Sequence, residues 1–117
     1  MMTIQETKNR MMSEEPHWQI PLMDFVDDFR CYRDIKAVEH GIEPTHPKFD
    51  ALLASSVEYL CRENDLPIPS WVYDIEPLSD PWFVSGLENL KAMALSESPA
   101  AFRIRKIFVL ENFLQRV

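Results

Sequence analysis

Three bases close together near the C-terminus, Arg103, Arg105 and Lys106, are the side chains best equipped for chemistry in this sequence. A guanidinium fork matches the paired oxygens of a carboxylate or phosphate, and an ammonium adds a point charge beside it. On a helix Arg103 and Lys106 share a face, three residues apart, while Arg105 points elsewhere. Phe102, Ile104, Ile107, Phe108 and Val109 flank and separate them. The same bases also suit neutralisation of the chain's own acids, for instance Asp24, Asp27, Asp28 or Glu97. In either case Phe102 and Ile104 are expected to be buried and to hold the arginines in place. Residues 98–117 carry four bases and one acid, a charge of +3, whereas residues 1–97 carry eight bases and 18 acids, or −10.

The other reactive groups are poorly arranged for catalysis. His17, His40 and His46 stand in or beside connectors, and Glu39, His40 and His46 read as surface-loop residues rather than metal ligands. There is no HExxH, no zinc-type Cys–His spacing, no phosphate-cradling glycine loop and no GxSxG. Asp24, Asp27 and Asp28 offer carboxylates of the kind that bind Mg²⁺, but a helix N-terminus favours acids without any ion. Cys31 and Cys61 are isolated in predicted helices and read as buried reduced thiols. The sequence points away from an enzyme and toward no metal or cofactor. A second cluster, Trp71, Tyr73, Trp82 and Phe83, is suited to a core or to a groove for a partner, since aromatics together with arginine are the chemistry of interface hot spots. Arg103, Arg105, Lys106, Trp71 and Trp82 are therefore the candidate partner-binding residues.

The elements that would position these groups read as helices. Leu22, Phe25, Val26, Phe29 and Tyr32 recur at three- and four-residue steps, which predicts a helix from about Pro21 to His40, stopped by Gly41. Pro47 opens a second helix capped by Thr45 or His46, with Phe49, Leu52, Leu53, Ser56, Val57 and Leu60 inward and a Glu58–Arg62 pair on its outer face. Pro67, Pro69, Pro77 and Pro81 forbid a long helix or a central strand across 66–83, which reads as an aromatic connector crossing the helices. Ser85 and Glu88 have capping-box spacing ahead of a helix with Leu87, Leu90, Met93 and Ala94 inward. Ser98-Pro99 predicts a further helix start, with Ile107–Val109 extended and Phe113, Leu114 and Val117 facing inward. Met1–Glu15 is weakly patterned and reads as a frayed helix or loose tail.

Two glycines and nine prolines leave little material for hairpin turns. The expected fold is all-α, an irregular bundle of four to five helices with a proline- and aromatic-rich crossing connector. Residues 1–18 form a flexible or partner-ordered tail and residues 19–117 one helical domain. A 117-residue chain that is 46% hydrophobic and 26% charged has the composition of one globular domain. Its net charge of −7 opposes non-specific binding to nucleic acid or anionic membranes. No apolar run approaches the roughly 20 residues that span a bilayer. The opening MMTIQETKNRMMSEE lacks the apolar core of a secretory signal, so a cytoplasmic protein is expected.

The order PxPxWV, DPWF and SPAAFRxRxIFVxxxFLxRV, at Pro67–Phe83 and Ser98–Val117, resembles a group of small bacterial helical proteins that end in a similar segment. Some of these lie beside toxin–antitoxin or mobile-element genes. The resemblance brings no activity with it. It implies a small cytoplasmic helical protein, antitoxin-like in role, with a protein partner such as a toxin. The leading expectation is a non-catalytic interaction or regulatory protein, with self-association compatible. The alternative is a DNA-binding regulator using 85–109 as a helix-turn-helix, with the basic element as the reading helix.

Overall fold

The computed structural model describes residues 1–115; Arg116 and Val117, counted above in the tail's charge and inward face, lie outside the described residues. Among the described residues five α-helices form: α1 (Ile4–Ser13), α2 (Gln19–Tyr32), α3 (Pro47–Glu63), α4 (Lys91–Glu97) and α5 (Ala100–Arg103). Short 3₁₀ turns at Ile35–Ala37, Ser70–Tyr73 and Glu88–Leu90 link them.

Helix α3 is the centre. Every residue from Phe49 to Glu58 is buried, its apolar period by packing and the acids Asp50 and Glu58 by ion pairs with Lys8 and Arg105. Ala51, Ala54, Ser55 and Ser56 keep it thin, so α1 and α2 approach it as well as α5 and the Ser70–Tyr73 turn. Its start is as the sequence predicts: the His46 Nδ1 accepts from the Phe49 N–H at 3.2 Å, with Pro47 just inside.

The fold is mostly α rather than all-α, because two short segments pair in parallel. Strands β1 (Trp82–Phe83) and β2 (Ile107–Phe108) align Trp82 with Ile107 and Phe83 with Phe108. The Trp82 N–H donates to the Lys106 carbonyl at 2.9 Å, and the Val84 N–H to that of Phe108 at 3.2 Å. Aromatic and β-branched residues suit this pleated, half-covered edge, and α4 and α5 supply the crossover that parallel strands need. Lys106 adopts a left-handed conformation (φ 63°) that turns the chain from α5 into β2.

The N-terminus departs most from the sequence reading. Instead of a flexible or partner-ordered tail, residues 4–13 form a helix capped by Thr3, whose hydroxyl accepts from Glu6 N–H at 3.2 Å. Ile4 and Met11 join the core, and Thr7 and Lys8 are buried with them. The apolar stripe was too thin to show because a lysine occupies one of its inward positions. The buried Lys8 ammonium lies 2.6 Å from the Asp50 carboxylate and donates to Thr45 Oγ1 at 2.8 Å and to the Glu43 carbonyl.

Other boundaries shift for local reasons. Helix α2 ends at Tyr32, not near His40, because Arg33 turns left-handed (φ 51°) and the Asp34 carboxylate accepts from Lys36 N–H at 2.9 Å, competing with the helix ladder. Tyr32 is exposed, outside the stripe assigned to it. Ser85 accepts only from Leu87, at 3.4 Å, and caps no helix; Glu88 opens a 3₁₀ turn, and α4 follows with Ala94 as its one buried residue. Leu87 and Met93 are exposed instead of inward. Ser98 ends α4 instead of starting a helix: its hydroxyl donates to the Ala94 or Val109 carbonyl and accepts from the Val109 N–H at 2.8 Å, stitching β2's end to α4.

Candidate functional site

The three bases separate once the chain is folded. Arg105 leaves the surface altogether, with 2% of its area exposed. Its Nη1 donates to Glu58 Oε1 at 2.9 Å and to the Ala101 carbonyl at 2.7 Å, and its Nη2 to the Val72 carbonyl at 2.9 Å. One planar group thus ties α3, the Ser70–Tyr73 turn and α5 together. The Glu58 carboxylate is itself buried, and its other oxygen accepts from Arg62 at 3.1 Å. The expected outer-face Glu58–Arg62 pair is therefore half internal, and Arg105 is removed from the partner-binding residues. Its acid is Glu58 and none of Asp24, Asp28 or Glu97; Asp24 takes Arg10 at 3.1 Å.

Arg103 and Lys106 remain exposed. Arg103 donates to the Ser98 carbonyl at 2.7 Å, and Lys106 to the Ser79 carbonyl at 3.3 Å. Ile104 is 54% exposed rather than buried; Phe102, Ile107, Val109 and Leu114 hold the tail instead. Helix α5 has four residues, about one turn, so the second helix of the expected helix-turn-helix has neither the length nor, with Arg105 inside, the charge of a groove-reading helix.

The aromatic connector is what builds a concave surface. Its residues 71–80 face the loop 42–48 across a groove of about 920 Å³, within the range of ligand sites. Trp71 is fixed there by its indole N–H, which donates to the Val38 carbonyl at 2.7 Å. The ring packs against Gly41, where a Cβ would meet it at 3.1 Å, so any larger residue at 41 would have to push the ring back by a few tenths of an ångström. Ile42, Ile75 and Leu78 complete an apolar floor. On the rim stand Asp74, Glu76 and Asp80, all exposed, their carboxylates without a hydrogen-bond or ion-pair partner among the described residues. Lys48 also lines the groove, its ammonium over the Trp82 ring at 5.3 Å from the centroid. Trp82 in turn packs on Trp18 at 5.8 Å. Of the candidate residues, then, Trp71 lines the groove, Trp82 flanks it, and Arg103 and Lys106 lie outside its lining.

Sequence reasoning missed the rim acids. The available signal was DIEPLSD, three acids in seven residues with no base among them, inside a segment too apolar for a linker. No three carboxylate, imidazole or thiol side chains among the described residues converge to hold a metal ion. His46 is stacked on Phe49 at 4.0 Å, and His40 is almost wholly exposed beside Glu39. Cys31 is exposed, contrary to its expected burial; Cys61 is buried, and burial pushes its thiol up to about 11. No helix among the described residues is long and apolar enough to cross a membrane. No protein-family model, curated protein or solved structure matches this chain.

Proposed function

We propose that this chain is a non-catalytic interaction protein that binds and masks a basic protein partner, antitoxin-like in role and cytoplasmic. One observation carries the reading: an apolar groove is rimmed by three exposed carboxylates that, among the described residues, have no ion-pair partner. The tail's central arginine is committed to Glu58, and Lys106 reaches only a backbone carbonyl. The surplus negative charge is thus available to a partner, and the chain's −7 would steer a basic one toward it. The resemblance of Pro67–Phe83 and Ser98–Val117 to proteins encoded near toxin–antitoxin genes is in keeping with such a role.

The test is purification from the native host, followed by titration of the recovered partner, itself purified, against this chain. The reading expects a protein rich in lysine and arginine whose affinity falls steeply with salt. Recovery of nucleic acid alone, or of a partner with no excess of bases, would refute it.

A further inference from the structure

We infer that the groove between residues 42–48 and 71–80 takes an extended basic segment of the partner, one in which cationic and apolar side chains alternate. This deepens the proposed function and rests on it. The floor offers a half-buried Trp71 and Ile75 that an apolar side chain would finish covering, and the rim offers Asp74, Glu76 and Asp80. The fourth acid at the site, Asp50, is already neutralised by the buried Lys8. Among the described residues, Lys48 is the one base in the lining, and its ammonium is turned onto Trp82.

The observations select among occupants. An anionic ligand would meet three unpaired carboxylates. A metal ion would need three of them to converge, and among the described residues none do. A continuous strand ladder along the wall is interrupted by Pro44, Pro47 and Pro77, which have no N–H, and by the Leu78 N–H, which already donates to the Arg105 carbonyl at 3.2 Å. Recognition therefore runs through side chains: cations to the rim and an apolar group to the floor. Successive side chains of an extended segment point to opposite faces, so with its apolar side chains on the floor the cationic ones start outward, and their long flexible stems fold back onto the exposed rim carboxylates.

The probe is a fluorescein-labelled eight-residue peptide of alternating arginine and leucine, titrated by anisotropy against the full chain. Two companion peptides replace arginine by glutamate, or leucine by glycine. The expected result is binding of the arginine–leucine peptide that weakens roughly tenfold or more, about 1.4 kcal/mol per tenfold, in Asp74→Asn/Glu76→Gln/Asp80→Asn. The variant changes only exposed side chains, and its circular dichroism should match the parent. The glycine peptide should bind more weakly and the glutamate peptide not at all. Equal binding by the triple variant, or by the glutamate peptide, would overturn the assignment. So would self-association of the free chain that Arg103→Glu/Lys106→Glu abolishes, since the groove's occupant would then be a second copy's tail. If the peptide behaves as expected but the native partner is not basic, the proposed function fails and the groove's chemistry stands. If a basic partner exists yet ignores the triple variant, only the groove assignment fails.

Discussion

The guanidinium of Arg105 and the carboxylate of Glu58 meet at 2.9 Å in the interior, across 47 residues of sequence. Neither charge is solvated, and each is compensated by further bonds: two backbone carbonyls for Arg105, and Arg62 for Glu58. Removing one partner of such a pair leaves the other charge buried, at a cost of about 3–5 kcal/mol. Arg105→Ala and Glu58→Ala should each destabilise by about that much in urea unfolding. The double variant Arg105→Met/Glu58→Leu should recover most of the loss, because it strands no charge. Additive losses would show that the two residues do not act as a pair.

Helix α1 makes the second prediction. Because Ile4, Met11 and Lys8 are buried, trypsin should cleave the folded chain at Lys8 or Arg10 no faster than in α3. Lys8→Ala should destabilise by about 3–5 kcal/mol, for it leaves the buried Asp50 carboxylate without its counter-charge and with the His46 N–H at 3.0 Å. Rapid early loss of the first ten residues, with the remainder intact, would mean that α1 is not docked.

How far the sequence carried can be judged from particular residues. The start of helix α3 was readable in the sequence, because its cap, its proline and its apolar period all agree. The Ser98 hydroxyl was assigned to the wrong helix, since a serine before a proline has the same local signature whether it closes one element or opens the next. The burial of Arg105 is not legible locally, because its partner Glu58 lies 47 positions away and no local pattern announces a long-range ion pair. For the same reason the groove was invisible as a shape: Trp71 and the rim acids were legible as residue types, but Gly41, which lets the ring sit down, gained its meaning only from tertiary contact.

The cysteines give a prediction in pH. With the Cys61 thiol raised to about 11 by burial, iodoacetamide at pH 8 should label the exposed Cys31 in the folded protein and Cys61 only after unfolding. The folded-state value lies above the ordinary thiol value, so the unfolded chain releases this proton first. Stability from this group is intact below about pH 8.5 and declines as pH rises toward 11. Denaturant midpoints across pH 8–11 should fall less in Cys61→Ala than in the parent, after allowance for its lower starting stability.

At the start of α3, His46→Ala removes the acceptor for the Phe49 N–H and should cost about 1 kcal/mol, whereas His46→Asp should keep most of it. Thermal melts of the two variants decide this. An aspartate as damaging as alanine would place the histidine's contribution in its stacking on Phe49 rather than in the cap.

The central claim is that contact with the partner falls on the acid-rimmed groove and not on the basic tail. The most direct measurement compares the affinity of the purified native partner for two charge reversals, Glu76→Lys/Asp80→Lys and Arg103→Glu/Lys106→Glu, each with parental circular dichroism. The groove reversal should weaken binding by roughly a hundredfold, near 2.7 kcal/mol, and the tail reversal should leave it within about twofold. Loss of binding in the tail reversal, with the groove reversal binding as the parent does, would contradict the account.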